Sequence, residues 1–452
     1  MVSDAPAAPS GAVRERQLVR AIGTWGLAAS IVNVTVGGGI FRLPGSPDVS
    51  GRLGAAAPLA YLACAVVMGL VVLCIAQAGS RISLTGGPYA YVEATFGRYV
   101  GFLVGVLLWM IGATAIPSVA GLFADAGASL VPAVRTLAGR ALFIGVIFAG
   151  VTWINVRGVK QGTRLNVVLT VAKLAPLALL LVGGLMAANS ANLRWVHGVP
   201  GVPDLARASV ILVFAYAGVE SALVPSGEVR DPARTVPRAV FLAMGMVTLV
   251  YVGLQVVAQG VLGAALPGSA TPLAGAAGRV FGAWGIVMIS AGFMISAFGY
   301  LSGMMLAVPR AMFAFARDGI LPRQLAAVHP RFHTPWVAII VQTTICWVLA
   351  VLNRFETLAI IANLAAVLVY IGCAAAAWKL TRRPVAADAR AFRIPGGAVV
   401  PLLALIALAF LLSAVTIREW SVLVIVLVAA SVLYLAAGLN DRSKGEERTA
   451  TA

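Results

Sequence analysis

Charge is what this sequence has least of. Asp, Glu, Lys and Arg make up 11% of its 452 residues, against about 25% in soluble domains, so a water-soluble fold is excluded. Histidine and cysteine are also scarce. His197, His329 and His333 fall in loops, and Cys64, Cys74, Cys346 and Cys373 fall in apolar runs without Cys-x-x-Cys or paired-His spacing. The plain reading is solvated histidines and free buried thiols, with no metal site or cofactor. No nucleophile and base pair stands out near the membrane, so no enzyme is expected. A continuous polar lining is missing as well, which argues against a channel.

What the chain has instead is apolar length. Hydrophobic residues are 60% of it and mean hydropathy is +0.96. Blocks of about 20 apolar residues, each enough for one helical crossing, alternate with short basic loops. The expectation is an all-α polytopic membrane protein of twelve spans, at about 22–48, 55–79, 89–124, 138–156, 162–186, 206–226, 235–263, 280–316, 335–352, 356–379, 400–417 and 421–439.

The net charge of +17 is distributed, not clustered. Alternate loops carry 23 and 9 of the 33 basic residues, with Lys173 left over inside a span. This is the positive-inside pattern, and it places both termini in the cytoplasm. No basic stripe alternates with aromatics, so no nucleic-acid partner is expected. Residues 1–20 read as a polar cytoplasmic tail with no signal-peptide pattern, and residues 440–452 as a second tail. High Ala, Gly and Arg usage suits a bacterial plasma membrane.

One apolar run is interrupted. "NVTVGGGIFRLPG", Asn33 to Gly45, holds three consecutive glycines behind polar Asn33 and Thr35. In hydrocarbon, backbone polar groups must be satisfied internally, and non-helical backbone survives only inside protein or around a cavity. Gly37, Gly38 and Gly39 therefore predict an unwound point in span one, because glycine lowers the cost of leaving helical geometry. An inverted-repeat transporter breaks a second helix at the matching place. Span six, "ILVFAYAGVESALVPSGEVRDP", has Gly218 and Glu220 in mid-span, and it opens the second set of five spans as span one opens the first.

These residues carry a family resemblance. "VGGGIFRLPG" resembles the first-helix Gly-Ser-Gly-Ile-Phe signature of the amino acid-polyamine-organocation (APC) transporters. "GGPYAYVEATFGRYVGFLVGVLLW" resembles their third helix and the loop before it. "FAYAGVESALVPSGEVRDPARTVPRA" resembles their sixth helix, especially in the arginine/agmatine exchanger branch, and "FARDGILP" matches the end of their eighth. The resemblance implies the LeuT-type fold. Residues 21–187 and 206–380 would form a 5+5 inverted repeat with discontinuous helices 1 and 6, and residues 398–439 would add helices 11 and 12.

It also implies alternating access to an amino acid held at the two breaks. A zwitterion needs partners for both charges where water is removed. Amides around Thr35, Val36, Gly37, Gly38 and Gly39, at a positive helix end, suit the carboxylate. Carbonyls around Phe214, Ala215 and Ala217 suit the ammonium. Phe214 matches the family's aromatic lid. Ile111 and Gly112 in the third helix and Met304 in the eighth match pocket positions, and the surface is apolar. Neutral amino acids are favoured, while cationic amino acids or polyamines stay open because carbonyls and aromatic faces also bind cations. A non-transporting amino acid receptor on the same fold would keep the same pocket; flux separates the two.

Lys173 and Glu220 are ionisable groups inside spans, which mark functional positions. Lys173 resembles the fifth-helix lysine that some sodium-independent members place where sodium-coupled relatives hold an ion. It would either substitute for that ion or carry a proton, with Ser296 and Tyr300 as neighbours. The arginine/agmatine exchanger branch lacks this lysine, so its coupling is not carried over. Glu220 is either a proton-sensitive gate or a buried helix-packing acid. Glu228, Arg230, Asp231 and Arg234 form either a cytoplasmic gate of switching ion pairs or a solvated topology signal.

Overall fold

A computed structural model describes residues 23–81, 88–157, 163–195, 198–218, 229–317, 319–332, 334–382, 392–394 and 396–450. Among them, seven helices are long and apolar enough to cross a membrane, and an eighth crossing is a helix pair bent by 45° at a short break. The protein is a polytopic helical membrane protein.

The bent pair comes first: α1 (Thr24–Thr35) and α2 (Gly38–Arg42), the latter running on through tighter and wider turns to Gly51. Next come α3 (Ala57–Arg81), α4 (Pro88–Phe96), α5 (Arg98–Leu130), α6 (Leu137–Arg157), α7 (Thr163–Ala187) and α8 (Val202–Tyr216). Then follow α9 (Pro232–Leu262), α10 (Pro272–Phe281), α11 (Ala283–Ala307), α12 (Pro309–Arg317), α13 (Trp336–Leu352), α14 (Phe355–Thr381), α15 (Val399–Ser413) and α16 (Ile417–Ala450).

Two long apolar blocks divide where hydropathy alone shows no boundary. Block three turns at Gly97, whose φ of +91° lies in the region that favours glycine, and so becomes α4 and α5. Block eight ends its main helix at Ala307 and restarts at Pro309, a residue that cannot donate to the preceding turn.

The most enclosed helix is α14, with 72% of its apolar window buried; it packs on α3, α4, α5, α8 and α15. Helix α9 packs on α1, α3 and α7. Helix α9 thus backs α1, and α14 backs α8. Outward-facing Leu142, Val146, Leu249, Val428 and Val432 stay exposed, as lipid-facing side chains do in a bundle whose surroundings are apolar. All four cysteines are buried and none is in a disulfide.

An ion-pair network ties one end of the bundle together. Arg207 of α8 meets both carboxylate oxygens of Glu419 in α16 at 3.1 Å and reaches Asp48 at 3.6 Å. Arg52 bridges Asp48 at 2.9 Å and Asp204 at 3.2 Å.

Candidate functional site

The break between α1 and α2 is narrower than three glycines suggest. Val36 leaves helical geometry (φ −73°, ψ 77°) and Gly37 is extended (φ −109°, ψ −156°), while Gly38 and Gly39 already form the first turn of α2. In a continuous helix the Gly37 N–H would donate to the Asn33 carbonyl. It donates instead to Thr35 O, at 2.8 Å. The Asn33 carbonyl receives the ammonium of Lys173, which is buried at 5% exposure on α7.

The second break follows α8. Ala217 still donates to Val213 O at 2.8 Å, but its own backbone is extended (φ −64°, ψ 151°). Gly218 then takes φ +116°. Residues 219–228, and with them Glu220 and Glu228, lie outside the described residues.

The breaks touch. A Cβ on Gly39 would stand 3.1 Å from Phe214 Cδ1 and 3.3 Å from Ala215 Cα, and one on Gly218 would stand 2.9 Å from Val34 Cγ1. Glycine at both positions allows this approach. One hydroxyl joins them: Tyr251 of α9, fully buried, lies 2.9 Å from Thr35 O and 2.9 Å from Ala215 O. A phenol has one proton to donate, so the two carbonyls share it.

Beside the breaks is a cavity of about 60 Å³, several times the roughly 10–15 Å³ that holds one water. Of the residues expected at the site, Thr35, Gly37, Gly38, Gly39, Ile111, Phe214, Ala217, Tyr300 and Met304 line it. Val36, Gly112 and Ala215 do not. Val36 is packed in the core, and Ala215 turns its carbonyl to Tyr251. Gly112 is where α5 passes close to Val308, and a Cβ there would collide with it. Lys173 acts on the break through Asn33 instead of entering the cavity wall. Ser296 is buried on α11 and does not line the cavity either.

Gly218, read from the sequence as part of the second break, also lines the wall, whereas sequence reading missed Val34, Ala115, Val119, Ala362, Asn363 and Ala366. Only Asn363 gave a signal, as a lone amide in the apolar run of α14. Its Nδ2 donates to Val210 O at 2.8 Å and Ile211 O at 3.2 Å, fixing α14 to α8. Tyr251 gave none.

Phe214 sits edge-on to Phe355 with ring centroids 5.4 Å apart, which fixes its ring at the cavity wall. At the last residue of α2, Arg42 pairs with Glu356 at 2.5 Å and also donates to Ser269 O. At the start of α9, Arg234 lies 3.9 Å from Asp231 with both side chains exposed. An ion pair so exposed contributes about 0–1 kcal/mol. Asp231 itself has φ +40°.

The cavity therefore combines apolar walls with backbone groups released at two helix ends, and among the described residues no carboxylate or ammonium enters its lining. That is a setting for a small solute bringing its own charges.

Such a bundle, interrupted at a central cavity, is a membrane carrier in architecture. Residues 22–437 match the family model described as "Amino acid permease", and the chain belongs to that family, within the APC superfamily; it is an amino acid transporter. The serine/threonine exchanger SteT of Bacillus subtilis (strain 168) is 30% identical over 86% of this chain and 89% of its own. The methylthioribose transporter of the same organism is 27% identical over 86% and 87%. Its branched-chain amino acid permease BcaP is 25% identical over 91% and 90%.

Proposed function

We propose that the protein is a sodium-independent transporter of neutral amino acids working by alternating access, either as a proton symporter or as an amino acid exchanger. The single observation that carries this reading is the meeting of two interrupted helices, α1/α2 and α8, at one apolar cavity. Amides of the first turn of α2, at Gly38 and Gly39, take the carboxylate, and carbonyls near the end of α8 take the ammonium. Phe214 closes over the substrate. Walls built from Ile111, Ala115, Val119 and Met304 favour small to medium apolar side chains, and a cavity of about 60 Å³ favours the smaller ones. The names of the serine/threonine and branched-chain relatives point to the same range.

Lys173 is the sodium substitute in this reading. Its ammonium supplies a fixed positive charge to a carbonyl that the break has released. The twelve spans form two inverted repeats, 21–187 and 206–380, followed by α15 and α16. The protein sits in the bacterial plasma membrane with both termini in the cytoplasm.

The test is uptake of labelled alanine, serine, leucine and arginine into sodium-free proteoliposomes, with and without an inward proton gradient. Accumulation driven by the gradient alone identifies a symporter, and uptake only into amino acid-loaded vesicles identifies an exchanger. Strict dependence on sodium would remove the role given to Lys173, and binding without flux would make the protein a receptor.

A further inference from the structure

Three buried side-chain atoms of α9, on Gln255 and Gln259, lack a hydrogen-bond partner. Among the described residues, both amide atoms of Gln255, Oε1 of Gln259, the hydroxyl of Tyr61 and Oγ1 of Thr35 are in this state, as are Oγ of Ser46 and Oε1 of Gln77 elsewhere in the fold. Gln255 and Tyr61 are fully buried. Burying an amide with neither end paired is costly, and unpaired buried groups in native proteins commonly mark ordered water.

Their placement is linear. Tyr251, Gln255 and Gln259 follow one another on α9 at intervals of four, on its buried side. Each interval is about 6 Å along the axis, close to the span of two hydrogen bonds of about 2.7–3.2 Å through one oxygen. At one end, Tyr251 touches the break through Thr35 O, and its ring lies 6.3 Å from that of Tyr61 on α3. At the other end, Gln259 lines a cavity of about 320 Å³ with Leu53, Asn192, Arg194 and Trp195. In the topology proposed above, with both termini in the cytoplasm, that cavity lies on the outer face.

We propose that Tyr251, Gln255 and Gln259 hold a file of ordered water joining the outer cavity to the helix break. The ligand is water itself: a buried water makes about three hydrogen bonds, and Gln255 offers a donor and an acceptor while the hydroxyls of Tyr61 and Thr35 offer either. The file gives the break a second solvent connection, which reaches it at Thr35 in the wall of the substrate cavity. It does not depend on which solute is carried.

The test is radiolytic hydroxyl labelling of the full-length protein in nanodiscs, read by mass spectrometry, because bound water generates radicals in place. Tyr61 and Tyr251 are expected to be oxidised several-fold faster than Tyr370, an equally buried tyrosine on α14. Gln255→Leu, and independently Gln259→Leu, should lower the labelling of Tyr251 several-fold while Tyr370 stays unchanged. Labelling of Tyr61 and Tyr251 at the Tyr370 rate in the wild-type protein would show a dry seam and overturn the proposal. So would labelling of Tyr251 that neither substitution alters. The wild-type comparison stands even if a variant fails to fold, and no transport measurement enters it.

Discussion

The hydroxyl of Tyr251 lies 2.9 Å from the carbonyl oxygen of Thr35, the last residue of α1. The same hydroxyl reaches Ala215 O at the same distance, so one donor supports the ends of two helices. Tyr251→Phe removes that donor and leaves a buried carbonyl short of a partner, a loss of about 1–3 kcal/mol. Thermal unfolding in detergent should show the destabilisation, and substrate KM should rise with it. An unchanged melting curve would mean that the hydroxyl supports neither carbonyl.

Lys173→Met keeps the length of the side chain and removes its charge. A hydrogen bond from a charged group contributes about 1.5–3 kcal/mol, so uptake should fall about ten- to a hundredfold, with protein still inserted in the membrane. Transport at the wild-type rate would show that the contact with Asn33 is dispensable.

The two glycines at the start of α2 should respond differently to a methyl group. At Gly38 an added Cβ meets Val119 and Phe293 at 3.4–3.5 Å, ordinary contact, whereas at Gly39 it meets Phe214 at 3.1 Å and Ala215 backbone at 3.3 Å. Gly39→Ala should cost about 1–3 kcal/mol through overpacking and weaken substrate affinity, while Gly38→Ala is tolerated. Gly38→Leu projects into the cavity and should abolish binding. Equal affinities for both alanine variants would contradict the close approach of α2 to α8.

The pair between Arg42 and Glu356 is mostly shielded, with side-chain exposures of 14% and 27%. A double-mutant cycle using Arg42→Ala and Glu356→Ala should return a coupling of about 0.5–3 kcal/mol. A coupling of zero would reduce the pair to an incidental contact.

Much of this arrangement is legible in the sequence, and the limits have physical reasons. Three glycines in an apolar run announced the break in α1, but not that only Val36 and Gly37 would leave helical geometry. That register depends on where the Lys173 ammonium and the Tyr251 hydroxyl find carbonyls. Tyr251 is 216 residues from Thr35 along the chain, and a tyrosine in an apolar span reads as ordinary core. Gly97 and Pro309 were visible as residues, yet hydropathy averages over them, so the divisions they make in blocks three and eight went unread. Gly112 matched a family pattern, but the face it presents is set by the approach of Val308, which no linear spacing reveals.

The contact of Lys173 with Asn33 has a consequence for where such a protein can work. A cation carried on a covalent stem stays at high effective concentration beside its partner and cannot wash away. Under the sodium-substitute role proposed for Lys173, the positive charge at the break is the same in fresh water and in brine.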